Sequence, residues 1–195
     1  PPGTQYYEIP IAIQDRSFND DGSLFYPDSR AYFDGFEGPY TPRSDVAPIW
    51  NPEFFGLAMV TNGRAWPALT VEPRRYRFRL LNGCNSRTLI LRLTGGPNPD
   101  YPLHLPPAPP FGLARTNLNP LPFWVIGTEG GFLPDSAVKV ESDLSAPGVP
   151  GLLMMPAERF DVIVDFTGLA DGTEVFLINE GPDEPFGGGV PGVDF

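Results

Sequence analysis

Proline and glycine interrupt this chain at close intervals, and the apolar runs between them are too short for helices. The 26 prolines and 22 glycines make up about a quarter of the 195 residues. They are spread along the whole sequence, as turn residues are, and no segment keeps a helical period for three turns. This spacing predicts an all-β fold, either a sandwich or a barrel, with residues 1–195 forming one domain.

Nine segments are predicted to be strands because most of them alternate apolar and polar residues. Tyr76, Phe78 and Leu80 point to one face of their segment, and the intervening arginines point to the other. The predicted strands are 7–15, 57–62, 74–82, 88–94, 122–128, 137–141, 151–156, 159–166 and 173–179. One face of such strands forms a core, and the other is solvated or contacts a partner.

Two long segments have no strand pattern. Residues 28–56 are rich in aromatic and turn-forming residues, and residues 95–121 are rich in proline. Both are predicted to be long connections, which in compact domains tend to be functional, ordered against a neighbour or disordered.

The composition excludes two classes of partner. A formal net charge of -11 and a pI near 4.4 argue against nucleic-acid binding, which needs a concentrated positive surface. No apolar run approaches the roughly 18 residues of a membrane-spanning helix, so no membrane partner is expected. The hydrophobic content of 41% is sufficient for a sizeable core.

The only cysteine, Cys84, and the only histidine, His104, are the obvious candidates for metal binding or nucleophilic catalysis. A blue copper site needs two histidines and a cysteine, and structural zinc usually needs four ligands. A Cys/His nucleophile pair would have to use these two residues alone. The favoured interpretation is a small buried thiol, with no metal or catalytic residue in this chain.

Two further motifs have a functional and a structural interpretation. The segment "SFNDDGSLFYPD" (17–28) resembles a calcium loop, with Asp20, Asp21 and Asp28 as candidate ligands, but Asp21-Gly22 also fits the tight turn of a hairpin. The segment "VIGTEGGFLP" (125–134) is glycine-rich like a phosphate loop, but it lacks the required glycine order and a following helix. A turn is favoured in both places.

Six of the thirteen basic residues lie between Arg74 and Arg92. They could form a docking face for an acidic partner. Alternating arginines on a strand are more often a solvated face, and that interpretation is favoured.

Four long blocks of the sequence carry a resemblance to a known family. They are "IPIAIQDRSFNDDGSLFYP", "FFGLAMVTNGRAWPALTVEPRRYRFRLLNGCNSRTLILRL", "VIGTEGGFLP" and "MMPAERFDVIVDFTGLADGTEVFLIN". Together they resemble the middle, cupredoxin-like domain of a three-domain multicopper oxidase. They occur in order over nearly the whole chain, and the branch they resemble comprises spore-coat laccases and bilirubin oxidase-like enzymes. These enzymes are commonly extracytoplasmic or associated with the spore coat.

The resemblance implies a Greek-key β-sandwich without copper. In that family the H-x-H, H-P-x-H-x-H and H-C-H ligand segments belong to the first and third domains, which would be the partners of this one. The parent would couple oxidation of phenolic or similar substrates to reduction of oxygen to water. The middle domain would act as a scaffold and substrate-side wall, so the isolated chain is not expected to be catalytic.

The resemblance also carries three local expectations. Cys84 lies where the family commonly has a small residue. The loop 180–189 would lie at the substrate mouth, with Gly187 and Gly188 as its most family-like members. The family continues past "GGGVPGVDF" into a final strand, so we expect this strand to be supplied by the tail, by another copy through the open sheet edge, or by the rest of the parent.

The alternative is a free-standing β-sandwich that acts as a binding or interaction module without copper. Its contact surface would be the basic strand face or the proline-rich segment 95–121.

Overall fold

The computed structural model describes residues 7–27, 53–95, 118–143, 151–179 and 181. These residues form thirteen strands and no helix. Within the same ranges, no helix is long and apolar enough to cross a membrane. The strands are β1 (Glu8–Phe18), β2 (Leu24–Phe25), β3 (Ala58–Thr61), β4 (Arg64–Ala65), β5 (Arg75–Asn82), β6 (Leu89–Gly95), β7 (Leu118–Leu121), β8 (Phe123–Thr128), β9 (Gly131–Phe132), β10 (Val138–Val140), β11 (Leu152–Met154), β12 (Arg159–Asp165) and β13 (Val175–Asn179).

The strands form two sheets. The larger sheet has the order β10-β8-β12-β5-β1-β3-β4, with β2 paired to β1 and β9 paired to β8. The smaller sheet has the order β11-β6-β13, with β7 also paired to β6. Most pairs are antiparallel, but β1 runs parallel to β5, so that Ile11 is opposite Leu80. The predicted all-β sandwich is confirmed.

The core lies between the two sheets and is built from the apolar face of each alternating strand. In β5, Tyr76, Phe78 and Leu80 are buried, and in β12, Val162 and Val164 are completely inaccessible to solvent. The alternation read from the sequence is therefore confirmed in both strands. The other buried apolar residues of this cluster are Ile13, Cys84, Leu89, Leu91, Leu93, Phe123, Val125, Leu152, Met154 and Phe166.

All nine predicted strands are present, with ends shifted by a few residues. One prediction was wrong at a boundary: residues 95–121 are not entirely a connection, because Gly95 ends β6 and Leu118–Leu121 form β7. The segment was missed because Pro120 has no backbone N–H to give to a ladder and is unusual in a strand. Consistent with this, the pairing between β6 and β7 is irregular, with a register shift between Leu93 and Gly95.

Within the predicted connection 28–56, the structure describes only residues 53–56, which are not in a strand. Residues 28–52 and 96–117 lie outside the described part of the chain.

Candidate functional site

The end of β1, the segment 53–57 and the turn 83–88 after β5 meet at one end of the sandwich. Cys84 lies in this turn, so this is the place to test the chemistry expected of the only cysteine. The polar residues around it are Asp15 from β1, Asn82 from the end of β5, and Arg87 from the turn.

Asp15 and Arg87 form a buried ion pair. Their residues are 0% and 2% exposed, and Arg87 Nε donates to Asp15 Oδ2 over 3.3 Å. The same carboxylate accepts hydrogen bonds from the backbone N–H groups of Gly56 at 2.7 Å and Asn85 at 3.2 Å. Because the carboxylate has several donors, its negative charge is compensated without water.

The ion pair fixes the backbone of the segment before β3. Arg87 Nη2 donates to the Gly56 carbonyl over 3.0 Å, and the Arg87 guanidinium lies 5.4 Å from the centre of the Phe55 ring. A Cβ at Gly56 would lie only 2.4 Å from the backbone nitrogen of Arg16. Glycine is therefore required here because the segment packs directly against the backbone of β1.

Asn82 holds the turn after β5. Its side chain is completely buried, and Nδ2 donates to the carbonyls of Arg87 and Met154, each over 2.9 Å. Its Oδ1 accepts the backbone N–H of Cys84 over 3.0 Å. One amide thus ties the turn to both sheets, because Met154 belongs to β11 of the smaller sheet.

The Cys84 thiol is a buried core group. Its Sγ lies 3.8 Å from the Ile13 carbonyl. Burial, reinforced by the negative charge of Asp15, raises the pKa of the thiol to about 12. Metal ligation and nucleophilic attack both require the thiolate. This environment favours the neutral thiol, which disfavours nucleophilic attack by Cys84.

The described residues contain no group of three or more histidine, cysteine, aspartate or glutamate side chains arranged to hold a metal ion. His104 lies outside these residues, as do Asp28, Gly187 and Gly188. The Cys/His pair, which the sequence did not favour, is therefore described only at Cys84, and the expected substrate-rim glycines stay a prediction.

The calcium-like segment forms a hairpin between β1 and β2, as the turn interpretation predicted. Phe18 is opposite Leu24, and the Gly22 N–H donates to the Asn19 carbonyl over 2.8 Å. Only Gly22 of the Asp21-Gly22 pair has a positive φ, at 82°. Asp21 Oδ1 accepts from both the hydroxyl and the N–H of Ser23, and the hydroxyl bond is the main cause that lowers the pKa of Asp21. Its carboxylate therefore stabilises the turn through these hydrogen bonds.

The glycine-rich segment "VIGTEGGFLP" also forms a hairpin, made by β8 and β9 with Gly127 opposite Phe132. Its tip is tied to β12 because Glu129 accepts the Arg159 N–H over 2.7 Å and pairs with the Arg159 guanidinium. No helix follows it among the described residues, which agrees with a turn and not with a phosphate loop.

The arginine-rich face of β5 is paired with acidic residues of its own sheet. Arg75 pairs with Asp165 over 2.7 Å, and Arg79 pairs with Glu8 over 3.1 Å. Arg77 binds Asp161 through two nitrogens and also binds Glu8. The solvated-face interpretation is supported, because these cations are neutralised by neighbouring strands.

The sequence analysis missed Asp15, Asn82, Arg87 and Gly56. One signal was available for Asp15, which follows Ile13 by two residues and therefore falls on the core face of β1. A carboxylate at such a position needs a buried partner. Which residue supplies that partner depends on a contact between distant segments.

Comparison with known proteins places this architecture in a family. No protein-family model matches the chain. The laccase of Bacillus subtilis (strain 168) is 35% identical over 173 residues, covering 89% of this chain and 25% of the laccase. Multicopper oxidase LPR1 homolog 3 of Oryza sativa subsp. japonica is 33% identical over 187 residues, covering 95% of this chain and 26% of that protein.

A solved structure agrees with the sequence relatives. The McoA multicopper oxidase of Aquifex aeolicus superposes with a TM-score of 0.59 at 28% identity, covering 89% of this chain and 27% of that structure. The chain is a segment of a multicopper oxidase. It spans about a quarter of the length of its multicopper oxidase relatives, and it corresponds to the middle, cupredoxin-like domain. The predicted family is confirmed, and copper dependence is a property of that family.

Proposed function

We propose that this segment is the copper-free middle domain of its multicopper oxidase, serving as a scaffold and as a wall on the substrate side. Residues 1–195 form one domain in this proposal, and the first and third domains of the parent are its partners. The parent couples oxidation of phenolic or similar substrates to reduction of oxygen to water. The catalytic copper belongs to the other domains.

The observation that carries the copper-free assignment is the shortage of copper ligands. The whole chain has one cysteine and one histidine, whereas a blue copper site needs a cysteine thiolate and two histidines. The Cys84 thiol is buried, and the described residues contain no group of three or more histidine, cysteine, aspartate or glutamate side chains arranged to hold a metal ion. The available residues do not fit copper.

The polar network beside Cys84 supports the scaffold role. Asn82 joins the two sheets, and the Asp15–Arg87 pair fixes the segment before β3. These groups are buried and bonded to each other, so they order the structure without offering a reactive group to a substrate. The domain is proposed to contribute to catalysis by shaping the substrate side of the parent enzyme. The loop containing Gly187 and Gly188 is proposed to lie at the substrate mouth.

The edge of β13 supports the proposal that a further strand is added there, supplied by the tail, by another copy or by the rest of the parent. Among the described strands β13 pairs only with β6, and its residues Phe176 and Leu177 are exposed. The Asn179 Nδ2 at its end is buried and has no hydrogen-bond partner among the residues that the structure describes. An added strand would cover the apolar residues and could bring an acceptor to this amide.

A cysteine substitution in the full-length oxidase tests the copper-free assignment. We expect Cys84→Ser to leave the copper-to-protein ratio and the blue absorption band of the purified oxidase unchanged. A loss of one copper per molecule, with the fold retained by circular dichroism, would overturn the proposal. Cys84→Ala is the matched control, because it removes the sulfur without adding a hydroxyl to the core.

The free-standing interaction module is less well supported. Its basic contact face would have to attract an acidic partner, but Arg75, Arg77 and Arg79 are already paired with carboxylates. Its other contact surface, the segment 95–121, is described only at Gly95 and from Leu118 onward. An encoding gene that lacks upstream H-x-H and downstream H-C-H segments would favour this alternative.

A further inference from the structure

The outer face of the larger sheet carries apolar side chains from three different strands around one arginine. Trp124 of β8 and Arg77 of β5 both have Ile163 of β12 as their register partner. The ring of Phe132 from β9 lies 5.2 Å from the Arg77 guanidinium. Ile163 thus lies between Trp124 and Arg77 on the sheet, and Phe132 lies beside Arg77. Trp124, Ile163 and Phe132 are together called the Trp124 patch.

The charges at the centre of the Trp124 patch are balanced. Arg77 Nε donates to Asp161 Oδ1 over 2.7 Å, Nη2 binds the other oxygen of Asp161, and Nη1 binds Glu8 over 2.9 Å. Glu8 also pairs with Arg79 over 3.1 Å, so two arginines are matched by two carboxylates. At the margin, the Lys139 ammonium lies 5.9 Å from the Trp124 ring and pairs with Glu141 over 2.6 Å. A partner of this patch needs no charge of its own, although the chain as a whole carries -11.

Phe132 is exposed to 69%, yet its position is fixed by the β8–β9 hairpin. The hairpin is closed by the Leu133 N–H, which donates to the Ile126 carbonyl over 2.8 Å. A Cβ at Gly127 would lie 2.8 Å from the Gly131 carbonyl, so the two strands approach closely. An exposed aromatic side chain on a closed hairpin, next to a paired arginine and on the same sheet as an exposed tryptophan, has the composition of an interface centre.

We propose that the Trp124 patch is the surface on which a neighbouring domain of the same oxidase docks, through an apolar area without net charge at its centre. The inference rests on the proposed function. The occupant is a domain of the parent because this segment matches only about a quarter of each relative, which leaves most of the oxidase outside it. Contact with an apolar area would cover Trp124 and Phe132 while the ion pairs of Arg77 remain intact.

The test is thiol labelling of full-length oxidase variants that each carry one added cysteine, followed by peptide mass spectrometry, which distinguishes the added thiol from Cys84 and the other native cysteines. Phe132→Cys probes the patch, and Leu24→Cys in the β2 hairpin is the matched control, because the two residues are 69% and 65% exposed in this segment. Each rate is compared with the rate in urea-unfolded protein. We expect Phe132→Cys to react at least about tenfold more slowly than Leu24→Cys, because an interface must open before the thiol reacts.

Trp124→Cys gives a second probe within the same patch, and an unchanged copper content shows that each variant is folded. Equal labelling at positions 132 and 24 in an oxidase that has flanking copper domains overturns the docking surface and leaves the proposed function intact. A gene without flanking domains overturns both. If the slow labelling at position 132 becomes fast when the protein is diluted, a second copy covers the patch. That result overturns docking by a neighbouring domain.

Discussion

Asp15 and Arg87 are joined by a buried ion pair although they lie 72 residues apart in the sequence. The pair determines the path of a third segment, because Asp15 accepts the Gly56 N–H and Arg87 donates to the Gly56 carbonyl. One ion pair thus connects β1, the turn after β5, and the segment that leads into β3.

Removing one partner of this pair is expected to destabilise the protein strongly. Asp15→Ala removes the buried carboxylate that accepts hydrogen bonds from Arg87, Gly56 and Asn85, and we expect a loss of about 3–5 kcal/mol in the free energy of unfolding. The measurement is urea unfolding followed by circular dichroism. Arg79→Gln is the control: its salt bridge with Glu8 is exposed, and its loss is expected to cost less than about 1 kcal/mol. Equal effects of the two substitutions would contradict a structural role for the buried pair.

Gly56 and Gly130 provide a matched pair of glycine substitutions. Gly56→Ala places a Cβ 2.4 Å from the Arg16 nitrogen, whereas a Cβ at Gly130 meets nothing within 4 Å. Because a backbone atom must shift, we expect Gly56→Ala to lower the free energy of unfolding by about 1–3 kcal/mol or more. Gly130→Ala should change it by less than about 0.5 kcal/mol. A fully stable Gly56→Ala variant in urea unfolding would show that the segment does not pack on β1 as described.

A change in the hydrogen-bonding groups of the Asn82 side chain is expected to destabilise the protein. In Asn82→Asp, an oxygen replaces the nitrogen that donates to the carbonyls of Arg87 and Met154. Three acceptors would then face each other in a buried site, and we expect a loss of at least about 2 kcal/mol near neutral pH. Thermal unfolding at several pH values measures this. Stability should recover partly at low pH, because protonation of the new carboxyl restores one donor.

The raised pKa of the Cys84 thiol predicts that the stability of the protein falls at alkaline pH. Its pKa is raised from 9.0 to about 12 on folding, so between these values the unfolded chain loses the proton and the folded chain keeps it. Stability contributed by this group is complete below about pH 9 and falls as the pH rises toward 12, at no more than about 1.4 kcal/mol per pH unit.

The measurement is the difference in urea unfolding between the natural chain and Cys84→Ala over this pH range, because other alkaline titrations cancel in the difference. We expect the natural chain to lose more stability than the variant as the pH rises. Parallel curves would contradict the raised pKa, and rapid labelling of Cys84 by a thiol reagent at pH 8 would contradict its burial.

The sequence by itself determined the strands and several of the turns, because these depend on neighbouring residues. A period of two between Tyr76, Phe78 and Leu80 fixes which face of β5 is apolar, and Asp21-Gly22 places a turn after β1. Local information was insufficient at β7. Pro120 is atypical of a strand, and this segment is a strand because it pairs with β6.

Only the tertiary structure decided the chemistry of the end of the sandwich that contains Cys84. The sequence shows a cysteine in a turn, but its raised pKa arises from burial and from Asp15, which lies on another strand. Likewise, the arginines of β5 are recognised as paired only when β12 and β1 lie beside them. Electrostatic and packing energies depend on distances in space, and residues far apart in the chain acquire those distances only when both sheets have formed.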